Sequence, residues 1–302
     1  MTAFPPRSLG LRLSNHTTKP RIAALLTCHN RRDLTLQSIA SLKSQRNHGA
    51  DVDVVVLDAA SSDGTAEAIE AQFEHTTVLR GHADQFWARG MHAGFVYARE
   101  TGRYDYFLWL NDDTLLDSDA LARLLAAQWQ LREQHPGPSI VVGATRDPQT
   151  GATTYGGIRR SARGSPLRFE SVPPHAHNPR PVDTMNGNCV LVPSEVVERI
   201  GVIDPRYFHS LADFDYGLRA GSAGCGVWLA QGTVGTCQAN THPSTRRERL
   251  RFVFGRRRVR AYEWYTFARR WGGRWWPLLL PAPYVRHAII ALSSHDDEQR
   301  PG

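Results

Sequence analysis

Short apolar runs alternate with helical patterns along the first half of the chain. The runs cover residues 21–27, 52–57, 76–79 and 106–110, and each is long enough for one buried strand. Helices are predicted for the segments between them, residues 34–42, 66–73 and 87–99. Strands that alternate with helices through short connections predict an α/β fold with a mainly parallel sheet covered on both faces.

The second half of the chain has a less regular pattern. We predict helices at residues 121–131 and 194–200, and strands at residues 139–143, 189–192, 227–230 and 233–237. Residues 159–181 are rich in Arg, Pro and His, which predicts a mobile loop. Further helices are expected from residue 245 onward.

Length and composition predict one large domain with an appendage. The chain has 302 residues, and 41% of them are hydrophobic. Residues 1–20 are polar and lack the apolar core of a signal peptide, so we expect a flexible tail there. No apolar run is long enough to span a bilayer. The four cysteines are scattered without C-x-x-C spacing, which favours reduced thiols in a cytoplasmic protein.

The formal charge of +7 is concentrated in one segment. Residues 246–274 contain eleven arginines and two glutamates, which indicates a local anionic partner. No nucleic-acid-binding signature accompanies the arginines, so we do not expect nucleic acid. Trp271, Trp275, Trp276 and Tyr284 suit a headgroup layer, which favours an anionic membrane surface. The alternative is a basic helix face packed on its own domain.

An acidic cluster follows the aromatic strand predicted at residues 106–110. Asn111, Asp112 and Asp113 come directly after this strand. Adjacent carboxylates at a sheet edge need a cation or solvent, and a divalent ion bridging a diphosphate would satisfy them. The alternative is a helix N-cap, although Asp117 and Asp119 suit that role better.

Polar side chains also follow the first two predicted strands, at residues 27–30 and 58–63. In parallel sheets, ligands bind beyond the carboxyl ends of the strands. We therefore expect these two segments to share one cleft with residues 111–113.

Several motifs occur in a characteristic order. They are T-C-H-N-R (27–31), V-L-D-A-A-S-S-D-G-T (56–65), L-N-D-D-T (110–114), M-N-G-N-C-V-L-V-P (185–193) and I-D-P-R-Y-F-H-S-L-A-D-F-D-Y-G-L-R-A (203–220). Over residues 21–237 this series resembles the family 2 glycosyltransferases, particularly rhamnosyltransferase-like members that act on bacterial cell-surface glycans.

The resemblance implies a fold and a division of the chain. The fold would be GT-A, a mixed, mainly parallel sheet flanked by helices, with a C-terminal helical extension. The catalytic domain would cover residues 21–240, with a nucleotide-binding half at 21–115 and an acceptor-binding half at 116–240. Residues 241–302 would form the basic, aromatic helical segment.

The resemblance also implies an activity. Such enzymes transfer a sugar from a nucleoside diphosphate to a hydroxyl, with inversion at the anomeric carbon and with Mg²⁺ or Mn²⁺. The acceptor would be a saccharide or a lipid-linked glycan in cell-surface polysaccharide synthesis, at the cytoplasmic face of the membrane. Asp58 can accept the ring N–H of uracil or thymine, which favours a UDP- or dTDP-sugar.

Site roles follow from the motifs that match the family. The base and ribose of the donor would contact the residues after the first two strands, Thr27, Asn30, Arg31, Asp58 and Asp63. The D-x-D motif appears as Asn111-Asp112-Asp113, in which Asp113 would bind the metal, Asn111 would face the ribose and Asp112 would assist. The alternative for Asp58 is a turn cap before Ser61.

The catalytic base implied by the resemblance is Asp213. A carboxylate there would take the proton of the acceptor hydroxyl, an effect worth about 10²–10⁴-fold in rate. Ala212 replaces the glutamate that usually precedes it, and a helix-capping role is the alternative for Asp213. Asp215 is expected to cap or orient the following helix, with Arg219 one turn further along.

Four further residues have less specific signals. Arg89 would pair with the diphosphate and Trp87 would stack on a sugar ring, although both equally suit packing. His242 would be a third metal or phosphate ligand, and His209 lies just before the base. For each histidine the alternative is a hydrogen-bonded structural residue.

Two other functions are weighed against transfer. A sugar nucleotidyltransferase would need a glycine-rich loop after the first strand, where Thr27-Cys28-His29-Asn30 stands instead. A non-catalytic nucleotide-sugar-binding relative would not need both Asp113 and Asp213.

Overall fold

The computed structural model describes residues 19–240, 258–282 and Val285. The strands are β1 (Arg21–Cys28), β2 (Asp51–Asp58), β3 (Thr76–Arg80), β4 (Tyr106–Leu110), β5 (Leu115–Leu116), β6 (Ser139–Arg146), β7 (Gly157–Arg160), β8 (Phe169–Ser171), β9 (Arg180–Pro181), β10 (Thr184–Met185), β11 (Cys189–Pro193) and β12 (Gly226–Thr236). The helices are α1 (Arg32–Lys43), α2 (Thr65–Gln72), α3 (Trp87–Thr101), α4 (Ala120–Gln134), α5 (Ser194–Ile200), α6 (Ala212–Ser222), α7 (Arg258–Trp271) and α8 (Trp276–Leu279).

The central sheet is mixed and mostly parallel. Within the described residues it has the strand order β3-β2-β1-β4-β11-β6-β12-β5, and β9 pairs with β12. The four strands from β3 to β4 are parallel, whereas β11 runs antiparallel to both β4 and β6. This order places the carboxyl ends of β2, β1 and β4 side by side, as the alternating pattern predicted.

Strand β1 shows why the sheet is covered on both faces. Its residues from Ile22 to Leu26 are at most 1% exposed and alternate between two hydrophobic clusters. Ala23 and Leu25 pack with α3, while Ile22 and Leu26 face the opposite cluster. Full burial of an aliphatic side chain contributes about 1.5–3 kcal/mol, so the sheet is stabilised from both faces.

The segment that we predicted as a mobile loop, residues 159–181, contains strands. β7 and β8 lie in a second, three-stranded sheet with β10, and β9 joins the edge of the main sheet. Strands of two to four residues are too short to show a hydrophobic period, and their pairing depends on residues outside the segment. The loop prediction was therefore wrong in part. The two strands predicted at residues 227–237 are one strand, β12, with register shifts between Leu229 and Gly235.

Helix α7 packs on the main domain. Phe267 and Ala268 are fully buried, and Phe267 belongs to the same hydrophobic cluster as α3. Farther along, Trp275 and Leu278 are 55% and 68% exposed. In the described part of the chain, no helix is both long and apolar enough to cross a bilayer. Part of the basic segment thus adopts the alternative weighed above, a helix against its own domain.

Candidate active site

The loops after β1 and β2 are tied together by a polar network. Ser61 donates its backbone N–H (3.1 Å) and its hydroxyl to the Asp58 carboxylate. Asn30 donates its N–H to Ser61 Oγ at 2.9 Å, and its side-chain oxygen accepts the Ser62 N–H at 2.7 Å. Asp58 is only 3% exposed, so the turn-capping role weighed for it is observed. Its contact with a base stays a prediction.

Thr27 and Asp63 occupy different environments at the same edge. Thr27 is 8% exposed and packs beneath Gly90 of α3, where a Cβ would overlap the threonine side chain. Only a glycine fits at position 90 without a shift of its neighbours, because α3 and β1 pack closely there. The carboxylate of Asp63 accepts the N–H groups of Thr65 and Arg32, both at 3.1 Å, and so links the starts of α1 and α2. The Thr65 hydroxyl also bonds to this carboxylate, and it lowers the pKa of Asp63 more than the two N–H groups do.

One arginine contacts both carboxylates of the acidic cluster after β4. Arg31 Nη1 lies 3.1 Å from Asp112 Oδ1 and 2.9 Å from Asp113 Oδ2. Burial raises the pKa of Asp112 to about 6, although Arg31 opposes the shift. The side chain of Asp113 is 28% exposed, and Cys237 Sγ lies 3.5 Å from its Oδ1 atom. One guanidinium thus contacts both carboxylates of the cluster.

Asn111 joins this cluster to α3 and to the segment before β11. Its side-chain oxygen accepts the indole N–H of Trp87 at 2.8 Å. Its backbone N–H donates to the carbonyl of Asn188 at 3.0 Å, and its carbonyl accepts the Ser38 hydroxyl at 2.9 Å. The first position of the D-x-D motif is thus held from three directions.

Asp213 lies in the first turn of α6 and is partly buried. Its carboxylate accepts the backbone N–H of Gly187 at 3.0 Å and that of Phe214 at 2.9 Å. Burial raises its pKa to about 6, and the two N–H groups oppose that shift. A carboxylate with such a pKa is suited to accept a proton near neutral pH.

Gly187 brings the two predicted acidic groups into one neighbourhood. A Cβ on Gly187 would lie 2.5 Å from the Trp87 ring and 3.5 Å from Asp213 Cβ. Its neighbour Asn188 bonds to Asn111, and the Asn188 amide contacts Cys237 Sγ at 3.4 Å, next to Asp113. Asp113 and Asp213 are therefore connected by a chain of contacts through Gly187, Asn188 and Cys237.

Comparisons with known proteins identify the family. A family model described as "Glycosyl transferase family 2" matches residues 24–183, more than half of the chain. This chain belongs to glycosyltransferase family 2. A search of curated proteins gave no match.

Two solved structures of other proteins are similar in fold to this glycosyltransferase. The first is the mannosyltransferase PcManGT from Pyrobaculum calidifontis in complex with GDP-Man and Mn²⁺, at 17% identity and a TM-score of 0.52, covering 94% of this chain and 77% of that one. The second is GalNAc-T7 with UDP, GalNAc and Mn²⁺, at 14% identity and a TM-score of 0.55, covering 84% of this chain and 51% of that one. The likeness confirms the GT-A fold.

The acidic cluster of the glycosyltransferase contains the type of ligand that a hard divalent cation prefers. Mg²⁺ and similar ions bind through one or two carboxylates together with substrate phosphates, and Asp112 and Asp113 supply two adjacent carboxylates. Within residues 19–240 and the described C-terminal part, no group of three or more His, Cys, Asp or Glu side chains is placed to hold a metal ion. His242, predicted as a further ligand, lies outside the described residues.

Arg89 adopts the packing role weighed for it, and its pairing with a diphosphate stays a prediction. Its guanidinium lies 3.5 Å from the centre of the Phe208 ring, and its Nε donates to the Pro205 carbonyl at 3.3 Å. Arg219 Nε lies 2.8 Å from the Asp215 carboxylate, one turn along α6, whereas α6 has no side-chain hydrogen bond at its N-cap. Arg89 thus contacts the loop that precedes Asp213.

Two structurally important residues of the glycosyltransferase had no assigned role in the sequence analysis. Gly187 stands within the quoted M-N-G-N motif, and a glycine flanked by polar residues at a strand entrance was the available signal. Glu263 of α7, which contacts the loop before α6, had no local signal, because its partners lie more than 50 positions away.

Proposed function

We propose that this chain is an inverting glycosyltransferase that moves a sugar from a nucleoside diphosphate to an acceptor hydroxyl, with Asp213 as the base. The observation that carries the proposal is the Gly187–Asn188 connection between Asp213 and the acidic cluster. Asp213 would accept the hydroxyl proton while the acceptor oxygen bonds to the anomeric carbon. The bond from that carbon to the diphosphate breaks, and the diphosphate leaves with its electron pair.

The donor would bind at the carboxyl ends of β1, β2 and β4. Asn30, Asp58 and Asp63 hold the two loops in place, and Arg31 supplies positive charge for the diphosphate. A Mg²⁺ or Mn²⁺ ion held by Asp113 and Asp112 would offset negative charge on the leaving group. Support for a divalent ion comes from the two neighbouring structures, both of which contain Mn²⁺.

We favour a UDP- or dTDP-sugar as donor because of Asp58, and a saccharide or lipid-linked glycan of the cell surface as acceptor. The neighbouring structures contain GDP-Man or UDP, so a guanosine donor belongs in the same test. The acceptor would be met at the cytoplasmic face of the membrane. Exposed Trp275 and Leu278, with Arg274 stacked 5.0 Å from the Trp275 ring, suit an anionic headgroup layer.

A donor screen tests this proposal. Unfolding is followed with UDP-, dTDP- and GDP-sugars, each with Mn²⁺, with Mg²⁺ and with neither. A donor at 100 times its Kd should stabilise the fold by about 2.7 kcal/mol, so the preferred donor stands out. The same donor should then release nucleoside diphosphate, and NMR of the product should show an inverted anomeric centre. Stabilisation without any release would favour the non-catalytic relative, and retention at the anomeric carbon would contradict the assigned mechanism.

Co-sedimentation tests the membrane contact separately. Binding to vesicles that contain anionic lipid should exceed binding to neutral vesicles and should weaken as salt screens the charges. A Trp275→Ala variant should bind less, while Trp129→Ala, an exposed tryptophan on α4, serves as the matched control. Equal binding to both kinds of vesicle at low salt would rule the contact out.

A further inference from the structure

A buried carboxylate from the C-terminal helix holds the loop that precedes the base. Glu263 of α7 is 1% exposed. Its Oε1 atom accepts three consecutive backbone N–H groups, from Phe208 at 2.7 Å, His209 at 2.6 Å and Ser210 at 3.0 Å. Successive N–H groups that converge on one point form an anion-binding concavity, and here the anion is supplied by the chain itself.

The charge on Glu263 makes this contact strong. Hydrogen bonds to an ionised carboxylate are about twice as strong as those between neutral groups. The second carboxylate oxygen, Oε2, is buried and has no hydrogen-bond partner among the described residues. The three N–H groups of residues 208–210 therefore compensate for burying this charge, and the position of the loop is coupled to that of α7.

The held loop leads directly into the first turn of α6. Leu211 follows it with a left-handed backbone (φ 66°), and Asp213 comes two residues later. On its other side the loop contacts α3, since the Phe208 carbonyl accepts the Ala88 N–H at 2.9 Å and Arg89 stacks on the Phe208 ring. The loop is thus held between α3 and α7.

Helix α7 provides a firm attachment for this carboxylate. Arg270 Nη1 lies 2.7 Å from Asp215, which is fully buried in α6, and the indole of Trp271 donates to the same carboxylate at 2.9 Å. Arg270 also contacts Asp204 at 3.1 Å, in the segment that leads to the loop. With Phe267 fully buried, α7 is anchored to α6 at one end and to the loop near the middle.

We propose that Glu263 is a positioning residue for transfer: by fixing residues 208–210 it sets where Asp213 meets the acceptor hydroxyl. The C-terminal helix is then part of the acceptor side of the site. The inference rests on the proposed function, because it concerns the orientation of the proposed base. Misplacing a reacting group by about 1 Å can cost about 10²-fold in rate, which is the size of effect expected here.

Kinetics of two Glu263 variants test the inference. With the preferred donor from the screen and water as the acceptor, Glu263→Ala should lower kcat for nucleoside diphosphate release by about 10²-fold. Its affinity for that donor with Mn²⁺ should stay unchanged, because the donor contacts named under the proposed function lie after β1, β2 and β4. Glu263→Gln keeps an oxygen acceptor without the charge, so it should recover much of the lost kcat.

A matched control and a structural readout accompany the kinetics. Arg269→Gln changes the exposed face of the same helix, where Arg269 contacts Tyr265 at 3.3 Å, and should leave kcat unchanged. Hydrogen exchange at the amides of residues 208–210 should accelerate in Glu263→Ala and less in Glu263→Gln. If the alanine variant does not fold, the glutamine variant gives both measurements.

Two results would overturn the inference. One is an unchanged kcat in a folded Glu263 variant whose loop amides exchange faster. The other is an equal loss of kcat and donor affinity in both variants, which would indicate general destabilisation. A wild-type chain that binds donor and releases no nucleoside diphosphate would instead refute the proposed function, so the two failures are distinguishable.

Discussion

The proposed donor half and the proposed acceptor half of the site hold their carboxylates by different means. Asp112, after β4, is 8% exposed and pairs with Arg31, whereas Asp213 in α6 is held by the backbone N–H groups of Gly187 and Phe214. Burial raises the pKa of both carboxyl groups to about 6. Both groups can gain and lose a proton near that pH, and what differs is the neighbour that opposes the rise in pKa: a guanidinium charge at Asp112 and neutral N–H donors at Asp213. The same pKa thus suits a cation site in one half and a base in the other.

Replacing the base should give the largest effect on this comparison. In Asp213→Asn the side chain keeps its shape and loses the ability to take a proton, so kcat should fall by about 10²–10⁴-fold. Donor binding should persist, because the acidic cluster and Arg31 are unchanged. Initial rates of nucleoside diphosphate release and calorimetric donor titration measure the two quantities.

The control for this variant is Asp33→Asn. Asp33 lies in the first turn of α1 with its side chain 83% exposed. Asp33→Asn therefore removes the same charge from the protein as Asp213→Asn does, and it leaves the site unchanged. Normal transfer by Asp213→Asn would assign the base to another group and would remove the contrast between the halves.

The second prediction concerns the residue that joins the halves. In Gly187→Ala the new Cβ would lie 2.5 Å from the Trp87 ring, and overpacking of this kind costs about 1–3 kcal/mol. Because Trp87 bonds to Asn111 while Gly187 bonds to Asp213, the strain should reach both halves. Urea unfolding should show the lost stability, and both donor affinity and kcat should fall.

Gly221 offers a matched substitution. It lies near the end of α6, and a Cβ at this position would have no surrounding heavy atom within 4 Å. Gly221→Ala should therefore leave transfer unchanged and raise the free energy of unfolding by up to about 1 kcal/mol, since alanine favours a helix more than glycine does. Equal behaviour of the two alanine variants would show that Gly187 does not connect the halves mechanically.

The sequence allowed the donor half to be predicted better than the acceptor half. Strand β4 has the predicted bounds, and β1 and β2 differ from theirs by one residue at an end or at each end. Their carboxyl ends meet because parallel pairing aligns them, so the cluster could be located from strand order alone. The family and the GT-A fold are confirmed, while the individual roles of the site residues stay predictions.

The acceptor half depends on contacts that have no local pattern. Strands β7 and β8 are four and three residues long and pair across a loop, and β10 supplies the third strand from outside the predicted segment. Glu263 approaches residues 208–210 from α7, and its partners could not be identified from spacing. Asp213 could be named from a motif, but its partner Gly187 could not.

The third prediction separates the two carboxyl groups by pH. Asp213 must be ionised to act as a base, so kcat/KM should fall about tenfold per unit as the pH drops below about 6. Protonation of Asp112 would weaken metal binding near the same pH, but a bound cation lowers the pKa of its ligand. A higher Mn²⁺ concentration should therefore shift to lower pH only the part of the acid limb of the kcat/KM profile that comes from Asp112. Rate profiles from about pH 4.5 to 8 at two Mn²⁺ concentrations measure this, and an acid limb that moves entirely with Mn²⁺ would deny Asp213 the role of base.

The smallest effect is expected at the arginine that distinguishes the donor half. Arg31→Gln removes the positive charge that lies about 3 Å from both Asp112 and Asp113. A Mn²⁺ ion would then meet carboxylates that no cation of the described residues contacts, so its Kd in the absence of donor should decrease. A partly exposed ion pair is worth up to about 1 kcal/mol, which corresponds to about a fivefold change in this Kd.

Arg32→Gln is the matched control, because Arg32 contacts only the exposed Asp33 side chain among the ion pairs of the described residues. The EPR signal of free Mn²⁺ measures both variants. Weaker Mn²⁺ binding in Arg31→Gln would mean that the arginine supports the metal site, and the halves would then differ less than their geometry indicates.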